Sequence, residues 1–319
     1  MKQLFADMHC DTITTLYDRL KAGETGSLYS SSLQLDISKL EKGGYLLQNF
    51  AVFFDKEKHN NLYEKALRRI AFWKEEMAKN KDIISQVFSY EDILKNEEKG
   101  LISALLTLEG GEILEGSTEK LENLHKEGVR MVTITWNYDN DLGHCHFDTE
   151  GRGLTKKGFE MVEAMESMHI IPDVSHGSDT LFYDVCSVTK KPFVASHSNA
   201  RSVYGRTRNM TDDMIKSLAN KGGVVGLNFF AGFTSKRCRE QGMCYLEDMA
   251  AHALHIINVG GVECLGLGSD FDGIGTDVEW KDASGMMMFA DYLKKVGVSE
   301  RVCEKIFRGN VMRVYKETL

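Results

Sequence analysis

Proline is almost absent, with two in 319 residues. Chain reversals therefore fall to the 29 glycines. No Pro/Ser-rich linker, charge block or low-complexity run marks an internal boundary, so one domain over residues 1–319 is the simplest organisation. The seven cysteines are an odd number and include no Cys-x-x-Cys pair. They read as reduced thiols that fill core space in a reducing compartment. Basic charge is in deficit, with 39 Lys and Arg against 47 Asp and Glu and a net charge of -8. That balance argues against a nucleic-acid groove, which needs clustered cations. Long apolar runs are missing as well. None could cross a bilayer, and the opening Met1-Lys2-Gln3-Leu4-Phe5 lacks the apolar core of a signal peptide. The expectation is a cytoplasmic protein with neither membrane nor nucleic acid as a partner.

What the chain does contain is alternation. With 42% hydrophobic content it can bury a large core. Short, β-rich apolar runs near 4–9, 45–54, 101–109, 129–136, 170–176, 192–197, 223–229 and 264–270 read as strands. Several are continuously apolar, as parallel strands covered on both faces are. Between them lie segments of helical period. Residues 61–79 are long and amphipathic, 155–168 follows a threonine, and Thr211 with Asp212 and Asp213 has the form of an N-cap and acidic first turn. Eight strands separated by helices predict an α/β fold, a (β/α)8 TIM-like barrel.

Such barrels carry their chemistry at the C-terminal strand ends. The polar exceptions fall there: His9 and Asp11 after the first strand, Glu109 after the third, His176 after the fifth, His197 after the sixth and Asp270 after the eighth. In an extended segment His9 and Asp11 share a face, while Cys10 points the other way. Any one of these could be a satisfied loop residue, since His-x-Asp is common by chance. Six at one rim point to a metal centre, because unpartnered buried carboxylates and imidazoles are costly.

Three carboxylates and three histidines exceed the needs of one tetrahedral zinc. Two divalent ions sharing a carboxylate fit better. The mixed N/O donors suit zinc, with manganese and cobalt left open. The fourth strand has no lysine over 131–136 to serve as a carbamylated bridge, so Glu109 is the natural bridging group.

The ordered motifs His9-Cys10-Asp11, Thr107-Leu108-Glu109-Gly110-Gly111, Gly153-Leu154-Thr155 leading into Asp173-Val174-Ser175-His176, Ser196-His197-Ser198-Asn199-Ala200 and Gly268-Ser269-Asp270-Phe271-Asp272-Gly273 carry a resemblance. The chain resembles the membrane (renal) dipeptidase family of metallopeptidases, in a soluble bacterial-type form and within the metal-dependent hydrolase (amidohydrolase) superfamily. The likeness runs from about His9 to Val314. It implies His9, Asp11 and Glu109 on one metal, and Glu109, His176 and His197 on the other. It further implies Asp270 as the proton-handling carboxylate, Arg208 as the clamp on the substrate carboxylate, and a homodimer. The implied substrates are dipeptides, often with a D-residue on the C-terminal side. One position departs from the mammalian pattern, which has a substrate-contacting histidine after the fourth strand. Trp136-Asn137 stands there, and Asn137, Asn140, His144 or His146 could substitute.

Other polar groups have plainer readings. His144-Cys145-His146 lies on a Gly-containing polar loop and suits a substrate lid or plain exposure better than a third metal. His252 and His255 share a helical face and read as structural. Cys238 and Cys244 are not expected to pair. Ser175, Ser196 and Ser198 adjoin histidines without any order that makes a serine hydrolase. Two rival functions stand beside the metallodipeptidase: another amide hydrolase of the superfamily, acting on N-acyl amino acids, lactones or cyclic amides, and a silent barrel used for binding.

Overall fold

The computed structural model describes residues 4–319. Its strands are β1 (Phe5–Asp7), β2 (Tyr45–Phe53), β3 (Ile84–Gln86), β4 (Ile102–Glu109), β5 (Val129–Thr133), β6 (Ile171–Asp173), β7 (Val194–Ala195), β8 (Val224–Leu227), β9 (Met243–Cys244), β10 (Leu265–Leu267) and β11 (Asp277–Val278). Parallel pairings run β1, β2, β4, β5, β6, β7, β8, β10 and back to β1, so eight strands close into a barrel. These are the eight runs read from the sequence, but their ladders are shorter. The run at 192–197, for example, pairs only at Val194 and Ala195. Chain beyond each ladder turns outward to carry the site, and pairing stops where it does. β3 was not expected. It borders the first three residues of β4 at Ile84↔Ile102, and β5 takes over that edge from Leu106.

Helices form where the spacing predicted. Thr155 caps Lys156–Ser167 by accepting from Gly158 N, and Thr211 caps Asp212–Asn220 through Met214 N. The long amphipathic helix runs Leu62–Lys79, starting after Asn61 with no side-chain cap. The helix Asn310–Thr318 lies across the N-terminal mouth of the barrel. Its Val311, Val314 and Tyr315 pack with Met8, Leu105, Met131 and Val224. Asn310 Nδ2 donates to the Leu265 carbonyl, and the Tyr315 hydroxyl to Asn49 Oδ1 at 3.0 Å. With that end filled, the C-terminal mouth is left open for a ligand.

His252 lies wholly inside the fold, on the helix Leu246–Gly260. Its Nδ1 accepts from Ala200 N and its Nε2 donates to Thr234 O at 2.7 Å, a pairing that requires the neutral ring. Burial pushes its pKa down to about 4. In the unfolded chain a histidine titrates near 6.5. Between those values the unfolded state binds the proton and the folded state does not, so stability falls as pH drops through this window. The expected share of His252 between pH 7 and 5 is about 2 kcal/mol. Denaturant midpoints at both pH values should fall less in His252→Gln than in the parent. Equal slopes in the two proteins would remove His252 as the cause.

Candidate metal centre and groove

His9, Glu109, His176, His197 and Asp270 all sit at or just past the C-terminal ends of β1, β4, β6, β7 and β10. The strand that was to carry His9 and Asp11 ends at Asp7. Cys10 is nevertheless held extended by a parallel bridge to Phe271, so its neighbours still share a face. His9 Nε2 lies 3.5 Å from Asp11 Oδ2 and 3.6 Å from Glu109 Oε2. Asp270 Oδ1 is 3.8 Å from the same nitrogen. On the other side of the glutamate, Oε1 is 3.0 Å from His176 Nε2 and 3.3 Å from His197 Nε2. All of these residues except Asp270 are buried, and the Asp270 side chain is only 13% exposed. Glycine allows the approach: a Cβ at Gly273 would stand 2.0 Å from Asp11 Oδ2. His176 and Asp270 hold left-handed φ values of 69° and 63°, rare for non-glycine residues and typical of sites that the surrounding fold constrains.

The hydrogen-bond network fixes the tautomer of His197. His176 Nδ1 lies 2.8 Å from the side-chain amide of Asn137. His197 Nδ1 lies 2.7 Å from Ser196 Oγ, whose own hydrogen goes to Asp173 Oδ2. The Nε2 of His197 is therefore bare, and it faces His176 Nε2 at 2.9 Å. Among the described residues, His9 Nε2 and Asp11 Oδ1 have no hydrogen-bond partner although both are buried. Burial, with the charge of Asp11, raises the pKa of Glu109, and burial pushes Asp270 up to about 8. Burial and the nearby Arg208 keep His176 and His197 neutral, the form that binds metal. This donor chemistry fits divalent ions, and His9–Glu109–His197 and His9–Asp11–Asp270 are each close enough to hold one.

Beneath the centre lie two buried carboxylates to which the sequence reading gave no role. Asp7 Oδ1 accepts from His9 N and Ser269 N, joining the ends of β1 and β10. Asp173 accepts from Ser175 N, Ser196 N, Ser196 Oγ and Thr133 Oγ1. It thereby orients His197 through Ser196. Their signal was available: each is an aspartate closing an apolar run, two or three residues before a histidine.

A groove of about 530 Å³ opens over the cluster, lined among others by Asp11, Glu109, Trp136, Asn137, His176 and Asp270. It meets a second lobe of about 380 Å³ that contains His146, Arg206, Arg208 and Arg239 and no acidic side chain. Arg208 is buried and donates to Ser198 Oγ and to the His197 carbonyl at 2.9 Å each, while its Nε has no partner among the described residues.

Asn140 is a correction. Its Oδ1 accepts from Leu142 N and Gly143 N, and its Nδ2 donates to Glu112 and the Ile134 carbonyl. An Asx turn uses the whole amide, so it does not face the groove. His144 pairs with Asp139 at 2.8 Å, which leaves the 144–146 triplet without metal geometry. All seven cysteines are free, Cys238 and Cys244 included.

Comparison with known proteins identifies the family and the fold. The family described as Membrane dipeptidase (Peptidase family M19) matches residues 1–319. An uncharacterized dipeptidase of Schizosaccharomyces pombe is 30% identical over 302 residues, covering 89% of this chain and 72% of the relative. Dipeptidase 3 of Mus musculus is 32% identical over 233 residues, covering 71% of this chain but 46% of the mouse protein. The fold is that of a metallo peptidase from Rhodobacter sphaeroides solved with a phosphinate mimic of the dipeptide L-Ala-D-Ala, with a TM-score of 0.92, 23% identity and complete coverage of both chains. Among the described residues, no helix is long and apolar enough to cross a membrane. The chain belongs to the membrane dipeptidase family, peptidase family M19, and is a metallodipeptidase with a TIM-like barrel.

Proposed function

We propose that this enzyme is a binuclear dipeptidase that cleaves free dipeptides and accepts a D-residue at the C-terminal position. One observation carries the two-ion reading. The two oxygens of Glu109 face separate donor sets, Oε2 toward His9 and Oε1 toward His176 and His197. His9, Asp11 and Glu109 would hold one ion, and Glu109, His176 and His197 the other. The mixed N/O donors favour zinc. Bound there, such ions acidify water and pull electron density from a carbonyl oxygen.

The remaining work falls to side chains. Asp270, held by Asn228 Nδ2 at 2.8 Å, takes the proton of the attacking water and returns it to the departing amine. Arg208, in the lobe without acidic groups, grips the substrate's terminal carboxylate and so limits the site to short peptides. The D-residue is supported by the L-Ala-D-Ala mimic in the Rhodobacter sphaeroides relative. The seven free thiols support a cytoplasmic setting. A homodimer and a single catalytic domain over 1–319 rest on the family resemblance. Family membership weighs against the rival amide-hydrolase and binding-barrel readings.

The test is Arg208→Met. A charge-assisted pair contributes about 1.5–3 kcal/mol, so KM for a free dipeptide should rise about tenfold or more. The corresponding dipeptide amide should be affected far less. Arg206 would be a poor control because it lines the same lobe, whereas Arg201, paired with Asp179 at 2.7 Å, is a clean one. Equal losses on acid and amide would mean that Arg208 supports His197 instead of reading the carboxylate.

A further inference from the structure

The basic lobe holds more positive charge than the single carboxylate of a simple dipeptide needs. Arg208, Arg206 and Arg239 all line it, at three depths. Arg208 is buried against the His197 carbonyl, Arg206 is half-buried, and Arg239 is exposed at the rim. Arg206 lies over the Tyr204 ring at 4.8 Å and donates to its hydroxyl through Nη2 at 2.9 Å. Its Nε and Nη1 have no partner among the described residues. Tyr204 also lines a recess with Arg239, which sets the two outer cations close together. Glu240 shares that recess but pairs with Lys236 at 3.8 Å. Other arginines on these two segments are paired. Arg201, on the loop of Arg206, meets Asp179 at 2.7 Å, and Arg237, on the helix of Arg239, meets Glu247 at 3.3 Å. Among the described residues, no carboxylate lies within ion-pair distance of Arg206 or Arg239. Like charges gathered without a counter-charge repel, and an anion brought by a ligand relieves that repulsion.

We infer that Arg206 and Arg239 select dipeptides whose C-terminal residue is acidic, receiving its side-chain carboxylate while Arg208 holds the terminal one. The inference rests on the dipeptidase reading above, which puts the C-terminal residue in this lobe. The order of depth matches the order of groups on such a residue. Its terminal carboxylate stays near the metal cluster, where the peptide bond must lie, and its side chain extends toward the rim. Phe230 and Phe233, packed edge to face at 4.8 Å, line the same lobe and offer the side-chain methylenes an apolar surface. Asparagine and glutamine have nearly the same shape as the acids but bring no charge to the guanidinium groups. Selection therefore falls on charge. Arg206, half-buried and with donors to spare, carries most of it. Arg239 is screened by solvent at the rim and contributes less.

The test uses Ala-Glu, Ala-Gln and Ala-Lys, with the C-terminal residue in both configurations. Cleavage of any of them by the parent enzyme tests the underlying dipeptidase reading separately. In the better-cleaved configuration, the parent should prefer Ala-Glu to Ala-Gln by about tenfold or more in kcat/KM. Arg206→Met should bring that ratio to within about threefold of unity, and Arg239→Met should lower it about two- to threefold. Added salt should shrink the ratio in the parent. Arg206→Glu should reverse the order, so that Ala-Lys is cleaved faster than Ala-Glu, a gain that a misfolded protein could not show. A parent that cleaves Ala-Gln as well as Ala-Glu would overturn the inference. So would equal fractional losses on the two substrates in Arg206→Met, because Arg206 would then only support the lobe.

Discussion

Asp270→Asn should arrive with its metal in place and lose about 10²–10⁴ in kcat, the usual share of a general acid–base group. The substitution suits the site geometrically. Residue 270 sits at φ 63°, and asparagine tolerates the left-handed region better than any other residue of that size bearing a side chain. The two are isosteric, so one amide atom can still meet Asn228, which bonds Oδ2 at 2.8 Å. What disappears is the ability to take up and release a proton. Asp270 also lies within ligand distance of His9 and Asp11. That proximity supplies the competing outcome. Protein purified without metal would make Asp270 a ligand first, and the division of labour proposed here would fail. Metal content and kcat measured on one preparation distinguish the two.

Glu109→Gln should lose metal and activity together. A carboxylate offers acceptors on both oxygens, whereas an amide replaces one of them with N–H₂. Whichever way the amide lies, one of the two donor sets meets hydrogens where a cation should bind. No neighbour can take over, because β5 carries no lysine and Asp11 faces His9 rather than the His176–His197 pair. Elemental analysis of the purified variant should show at least one ion missing. A variant that kept two ions per chain and still turned over dipeptide would end the bridging assignment.

The site was legible for one physical reason. His9, Glu109, His176, His197 and Asp270 interrupt apolar runs at the points where those runs stop, and a buried carboxylate or imidazole there needs a partner. The eight barrel strands were legible as the same runs. β3 was not, because Ile84-Ser85-Gln86 is too short and too polar to stand out from a loop. Asn140 and Asn137 show where side-chain type alone fails. Both are asparagines on the segment after β5, but one closes an Asx turn on Leu142 and Gly143 while the other joins two histidines distant in sequence. The turn was within reach of local chemistry, since an asparagine two residues before a polar Gly-containing stretch commonly folds back on itself. The partners of Asn137 lie 9 and 39 residues away, and no local pattern reports them.

The closure of β1 on β10 has a consequence for how the enzyme comes into being. The bond from Ser269 N to Asp7 Oδ1 spans 262 residues, and the last ladder of the barrel, Asp7↔Leu267, spans nearly as many. A ribosome adding ~5–20 residues per second releases the second partner roughly 13–50 s after the first. Through that interval His9 and Asp11 are out of the ribosome but lack Asp270, and the apolar face of β1 has only β2 beside it. The helix that plugs the far mouth emerges later still. Long-range closure of this kind is slow and leaves sheet edges open to other chains. The nascent barrel is thus most vulnerable to aggregation just before its final fifty residues appear, and the metal centre is among the last parts of the molecule to exist.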